Sequence, residues 1–337
     1  MKKNLFILIY FVAFTLVFMS CEDFLDRQPS EYSSIGFYKS ESAIKDGVSG
    51  IYVPLYIGNN LHPFPTFHDQ YTALCLDRAE NNTIGAGGAI APDNAEFRSW
   101  WTYMYQIIAR SNTVLTGSEP YLDNLMGKSG QYMAAARVLR AYAYYNLISF
   151  FGDVPFYTEP VTIDQYKDER VSRESILAFI LQEFEEASED LPWVATERGR
   201  VDKAVALGLK ARAAMRGGSL NYSNKRNEYF RIAATSAQAI IGKRALAARY
   251  SDLFNKAGQM KADVRNEMLF ELMFYEKGSV KYHWADFGRV CRNIGQTGRH
   301  PSQLIVDTYE CIDGKRIDES PLYDTKKPFN NRDPRLR

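Results

Sequence analysis

The chain has 337 residues, 46% hydrophobic and 14% aromatic, with a formal net charge of +1. That length can bury a large core, and the near-neutral balance gives no electrostatic basis for binding nucleic acid or an anionic lipid surface. Apart from Cys21, the cysteines are Cys75, Cys291 and Cys311, an odd number at wide spacing without a CxxC, so neither a disulfide framework nor a zinc site is indicated.

Lys2 and Lys3 precede an uncharged apolar run at 5–19. The run has the length of a signal-peptide core and falls short of the ~20 residues that span a bilayer. Phe18, Met19 and Ser20 then lead into Cys21. A bulky residue three positions ahead of the cysteine and a small one just before it form a bacterial lipobox pattern, with Phe18 where leucine is more usual. The expectation is a lipoprotein signal peptide at 1–20 and a mature domain at 21–337 tethered through acylated Cys21, since two or three acyl chains hold a protein on a bilayer far better than one.

The rest of the chain reads as helix with almost no strand pattern, an all-α fold. Two helices are expected at 42–52 and 100–115. The clearest is "QYMAAARVLRAYAYYNLISFFGDVPF", in which Tyr132, Ala135, Ala136, Leu139, Ala143, Leu147 and Phe150 share a face and Gly152, Asp153 and Pro155 stop the helix. "SRESILAFILQEFEEASEDLP" follows, with Ser172 as N-cap, Pro192 as terminator, Ile176, Phe179, Ile180, Phe184 and Ala187 inward and its glutamates outward. "DKAVALGLKARAAMRGGS" carries a small-residue stripe of Ala204, Gly208, Ala211 and Met215, and "EYFRIAATSAQAIIGK" carries Phe230, Ala233, Ala237 and Ile241. Helix pairs joined by short polar turns resemble tetratricopeptide units, without a strict period of about 34 residues.

Two irregular segments, 58–99 and 277–301, are dense in Pro, Gly, Asn, His and aromatic residues. Long irregular stretches in a compact domain usually bind something, so these are the expected functional regions. Enzyme signatures are absent: His62, His68, His283 and His300 form no HExxH or short HxH, and there is no GxSxG, GxxxxGK[ST] or strand-flanked GxGxxG. A pair of carboxylates could serve a glycosidase only at a separation of about 5–10 Å. No metal and no cofactor is expected.

Six segments occur in an order that carries a family resemblance: "CEDFLDRQP", "AARVLRAYAYYNLISFFGDVPF", "VDKAVALGLKARAAM", "RNEMLFEL", "PSQLIVDTYECIDGKRI" and "NNRDPRLR". Together they resemble the SusD/RagB family of nutrient-binding outer-membrane lipoproteins. The resemblance implies a SusD-like α-helical fold, with tetratricopeptide-like helices as a superhelical support and long irregular binding loops. It implies non-catalytic binding of an oligosaccharide at the cell surface and delivery to a partner SusC-like TonB-dependent transporter. Glu22, Asp23 and Asp26 resemble the signal that sends such lipoproteins to the outer face. Family chains continue past the "RDPR" motif, so the resemblance also implies that the C-terminal portion of the family fold is missing here. A peptide-binding member of the family, a protein–protein scaffold and a surface glycosidase remain as alternatives.

Sugars present flat C–H faces and polar edges, so a glycan site wants aromatic rings beside amides, carboxylates and guanidiniums. The candidates are Trp100 and Trp101 at a helix start, Asp77, Arg78, Asn81 and Asn82 in the first irregular segment, and Tyr282, His283 and Trp284 in the second. Trp100 and Tyr103 share one helix face, and Trp101 and Tyr105 another, so one pair can serve the core and the other a ligand.

Overall fold

The computed structural model describes residues 36–56, 72–77, 91, 93–125, 127–273 and 299–336, with backbone only at 76, 77, 166, 299 and 300. The helices are α1 (Glu41–Tyr56), α2 (Ala95–Ser118), α3 (Ser129–Phe150), α4 (Arg173–Asp190), α5 (Lys203–Ser219), α6 (Arg226–Ile240), α7 (Ala262–Glu267) and α8 (Gln303–Thr308). Each of the first five packs on its successor, and α1 also reaches α3. Among the described residues the fold is all-α apart from one ladder, in which β1 (Cys75–Asp77) pairs antiparallel with β2 (Arg299–Pro301).

Caps set the helix starts. Ser172 accepts from the Ser175 amide at 3.2 Å, as the sequence predicts. Asn94, Asp202 and Ser302 do the same for α2, α5 and α8. Each satisfies an amide that has no partner within its helix. The Asn94 cap starts α2 at Ala95, five residues ahead of the expected 100. Helix α1 runs to Tyr56 through Pro54, which cannot donate to the Gly50 carbonyl. Arg110 of α2 supplies the missing donor, its Nη1 lying 2.6 Å from that oxygen, so the defect also ties α1 to α2.

The expected core stripes hold in the middle of the stack and fail at its edge. Ala135, Ala136, Leu139, Ala143 and Leu147 are buried, and so are Ile176, Ile180, Phe184 and Ala187. Phe150, Met215, Phe230 and Ile241 are exposed instead. Helix α5 lies between α4 and α6 and is therefore buried on two sides, through Val205, Ala206, Leu209, Ala213 and Ala214. On α6 the covered face is Tyr229, Ala233 and Ser236, one residue around from the predicted stripe. Gly208 does meet a close neighbour, but it is Leu269 of the connecting chain: an added Cβ would stand 3.1 Å from its Cδ1. The tightest helix contact of α5 is at Gly217, where a Cβ would lie 2.6 Å from Leu177 Cδ2 and 3.2 Å from the Tyr229 ring.

One expectation is corrected outright. The glutamates of α4 do not all face water, because Glu183 is 4% exposed in the interior. Arg140 Nε and Nη2 donate to its Oε2 at 3.1 and 2.7 Å, and Arg137 Nε and Nη2 donate to its Oε1 at 2.9 and 2.8 Å. A carboxylate can be buried when both oxygens are so paired.

The C-terminal segment closes on a second buried cation. Arg332, 1% exposed, donates to the carbonyls of Pro328, Val306 and Tyr309 at 3.1, 2.6 and 2.9 Å and lies over the Tyr323 ring. Cys311, beside it, is a buried free thiol, and Cys75 is half-buried.

Removing Glu183 leaves the buried Arg140 guanidinium without a carboxylate, while Arg137 keeps Glu186. Glu183→Ala is expected to cost about 3–5 kcal/mol in urea denaturation, and the double substitution Arg140→Met with Glu183→Leu to recover much of it. A cost under about 1 kcal/mol for Glu183→Ala would show that the pair does not hold the stack.

Candidate functional site

The Arg140–Glu183 pair organises what lies beyond it. Arg140 Nη1 also donates to Asn112 Oδ1 and to the Thr158 carbonyl, both at 2.9 Å. Asn112 in turn donates to the carbonyls of Tyr157 and Glu159 at 3.1 and 2.9 Å. The Tyr144 hydroxyl donates to the Tyr157 carbonyl at 2.8 Å and accepts its amide at 2.6 Å. Tyr105 donates to the Pro155 carbonyl at 2.6 Å. Side chains from α2 and α3 thus pin the irregular stretch 155–159 against the helix stack.

That pinning assembles a shelf of rings from α2 and from the segment after α3. Trp101 lies 4.9 Å from Tyr105 and 5.2 Å from Phe151, the second contact edge-on. Phe97 continues the shelf to Phe151 at 6.4 Å, and Tyr105 continues it to Tyr157 at 6.3 Å. All five residues are half-buried, each with part of its surface open. Burial pushes the Tyr105 phenol well above its usual range, so with its hydroxyl held by Pro155 it stays neutral at any physiological pH. The shelf is aromatic, its rings meeting edge-on or tilted.

Of the predicted site residues, Trp100 and Trp101 separate as adjacent helix positions should. Trp100 is 3% exposed and stacks edge-on with Phe150 at 4.2 Å, so it belongs to the core and is corrected from the candidate list. Trp101 faces the shelf. Tyr103 packs partly buried against the core, on the Trp100 side. The backbone of Asp77 pairs with Arg299, which joins the first irregular segment to the end of the second. Cys21, Arg78, Asn81, Asn82, Tyr282, His283 and Trp284 lie outside the described residues. Phe97, Phe151 and Tyr157 were not singled out from the sequence, although the density of rings around "FFGDVPF" marks the place.

Among the described residues no group of His, Cys, Asp and Glu could hold a metal ion, and no helix is long and apolar enough to cross a membrane. Polar groups around the shelf are committed to structure: the Tyr157 hydroxyl donates to the Gln165 carbonyl and Asp153 accepts from the Arg173 amide, both at 2.9 Å. The arrangement offers ring faces and no paired acid and base.

Residues 23–214 match the SusD-like family described as "Starch-binding associating with outer membrane". A SusD-like protein of Formosa agariphila is 25% identical over 287 residues, covering 78% of this chain and 51% of its own length. A solved SusD-like carbohydrate binding protein from Bacteroides fragilis superposes with a TM-score of 0.75 at 25% identity, covering 89% of this chain and 59% of that one. A SusD homologue from Bacteroides thetaiotaomicron shares the fold, with a TM-score of 0.66 at 20% identity over 82% of this chain and 56% of its own. The chain spans about half the length of the curated relatives it matches.

Proposed function

This chain belongs to the SusD-like family, and from that premise we propose that it is a non-catalytic carbohydrate-binding protein of the outer-membrane surface. The observation that carries the reading is the shelf of Trp101, Tyr105 and Phe151 on a family helical frame. Neutral ring faces suit the C–H faces of a pyranose, and their contact is sequestered from water without needing a charge on the ligand. The sugar's polar edges would be met by Asp77, Arg78, Asn81 and Asn82 and by Tyr282, His283 and Trp284, the candidates drawn from the two irregular segments.

Location follows the same premise. Cys21 is the acylated anchor and first residue of the mature chain, 1–20 is the leader, and 21–337 is the mature SusD-like domain. The bound oligosaccharide is delivered to a SusC-like TonB-dependent transporter in the same membrane, facing the cell exterior. Support for this part comes from the lipobox and the family resemblance.

Screening starch-derived oligosaccharides and then a panel of neutral glycans identifies the ligand. Trp101→Ala should then weaken binding by about 1–3 kcal/mol, the range for loss of a stacking ring, with little change in unfolding temperature. Trp100→Ala should behave the other way and cost about 3–5 kcal/mol of stability, as a truncated core tryptophan does. Unchanged affinity in a folded Trp101→Ala protein would remove the shelf from the site. A panel that yields only peptide ligands, or release of reducing sugar from a glycan, would replace the reading with peptide capture or hydrolysis. For the anchor, Cys21→Ser is expected to abolish incorporation of labelled fatty acid in the native host, and persistent labelling would contradict the lipoprotein assignment.

A further inference from the structure

A second concavity lies at the other end of the helix stack from the shelf. The connection from α4 to α5, 191–202, runs past the first turns of α3, through Lys128 and Gln131, whereas the shelf sits at the last residue of α3 and just beyond. Those positions are about 30 Å apart along α3 at 1.5 Å per residue. On its far side, this connection and the segment around α7 enclose a cavity of about 220 Å³.

Four guanidiniums line it, those of Arg198, Arg200, Arg244 and Arg265, against three carboxylates. Three of the arginines have carboxylate partners. Arg198 grips Glu271 through two bonds, at 2.5 and 2.8 Å. Arg244 pairs with Asp202, both nearly buried. Arg200 reaches Glu197 at 3.3 Å, and Glu197 is shared with Lys45. Arg265 has no carboxylate within ion-pair distance among the described residues. Its Nη2 rests 3.9 Å from the sulfur of Met260, and Arg198 Nη1 comes within 4.0 Å of the same atom. A thioether is a weak acceptor, so two guanidiniums converge on a partner that an oxyanion would replace to advantage. Met260 is 61% exposed and free to swing aside.

We propose that this cavity binds a singly charged sugar acid of the hexuronate type, its carboxylate taken by Arg265 and the free edge of Arg198. The three carboxylates limit the site to one added negative charge and disfavour a dianion such as phosphate. They are also acceptors suited to ring hydroxyls, while Val194, Met268 and Leu269 offer an apolar wall for the C–H face. The volume suits one sugar residue. Nothing in the assignment depends on the shelf, which shares no residue with the cavity.

The test is calorimetric titration of the whole chain with D-galacturonate, D-galactose, glucose 6-sulfate and inorganic phosphate. Galacturonate should bind at least about tenfold tighter than galactose and phosphate, and progressively more weakly with added salt. Arg265→Ala should lose about tenfold or more, and Arg265→Lys should retain most of the affinity by keeping the charge. Trp101→Ala should leave galacturonate binding unchanged, so failure of the shelf and failure of the cavity are read separately. Equal binding of galactose, preference for the sulfated sugar or for phosphate, or full affinity in a folded Arg265→Ala protein would each overturn the proposal.

Discussion

The architecture depends on one buried constraint, the guanidinium of Arg140 held between Glu183, Asn112 and the Thr158 carbonyl. A buried ion pair gains little net stability over a well-packed apolar pair, because both charges must leave water. What it does impose is direction. The planar guanidinium fork accepts partners only at fixed angles, so α2, α3, α4 and the 155–159 stretch must meet at a single register. Asn112 and Tyr144 extend that register to the neighbouring carbonyls. The aromatic shelf is the outward consequence, since Tyr157 belongs to the stretch so held and Phe151 stands at the end of α3 just before it.

Arginine recurs in the same role elsewhere. Arg110 satisfies the carbonyl that Pro54 leaves open, Arg332 gathers three carbonyls of the C-terminal segment, and Arg198 ties the α4–α5 connection to Glu271. Two of these lie in the segments that carry the family resemblance, "RNEMLFEL" through Glu271 and "NNRDPRLR" through Arg332. Glu271 and Arg332 within those motifs are therefore explained by architecture, whereas Arg265 of the first lines the cavity. Around α7 the same chemistry runs past saturation and leaves Arg265 against a thioether.

Helix existence was legible because local periodicity decides it. Ser172 as a cap and the inward set Ile176, Ile180 and Phe184 could be read directly. Faces were legible only where a helix has neighbours on the predicted side. α6 packs chiefly on α5, where Tyr229 is buried in the contact, Phe230 only borders it at Gly218 and Ile241 stays exposed. Glu183 was misplaced for a different reason. The matched spacings Arg137/Arg140 and Glu183/Glu186 are visible in the sequence, yet each reads as an ordinary solvated face until tertiary packing brings the two helices together. On α2, the sequence offered two adjacent tryptophans as site candidates but could not assign them. The assignment turns on where α2 begins its rotation, and that was set by the Asn94 cap.

The central claim is that a neutral ring shelf, fixed by the Arg140 network, is where carbohydrate lands. Hydrogen–deuterium exchange of the whole chain, with and without a saturating oligosaccharide, tests it most directly. The account predicts slowed exchange at 95–105 and 150–157, with α5 and α6 unchanged. Saturating ligand that leaves both stretches unprotected would contradict it.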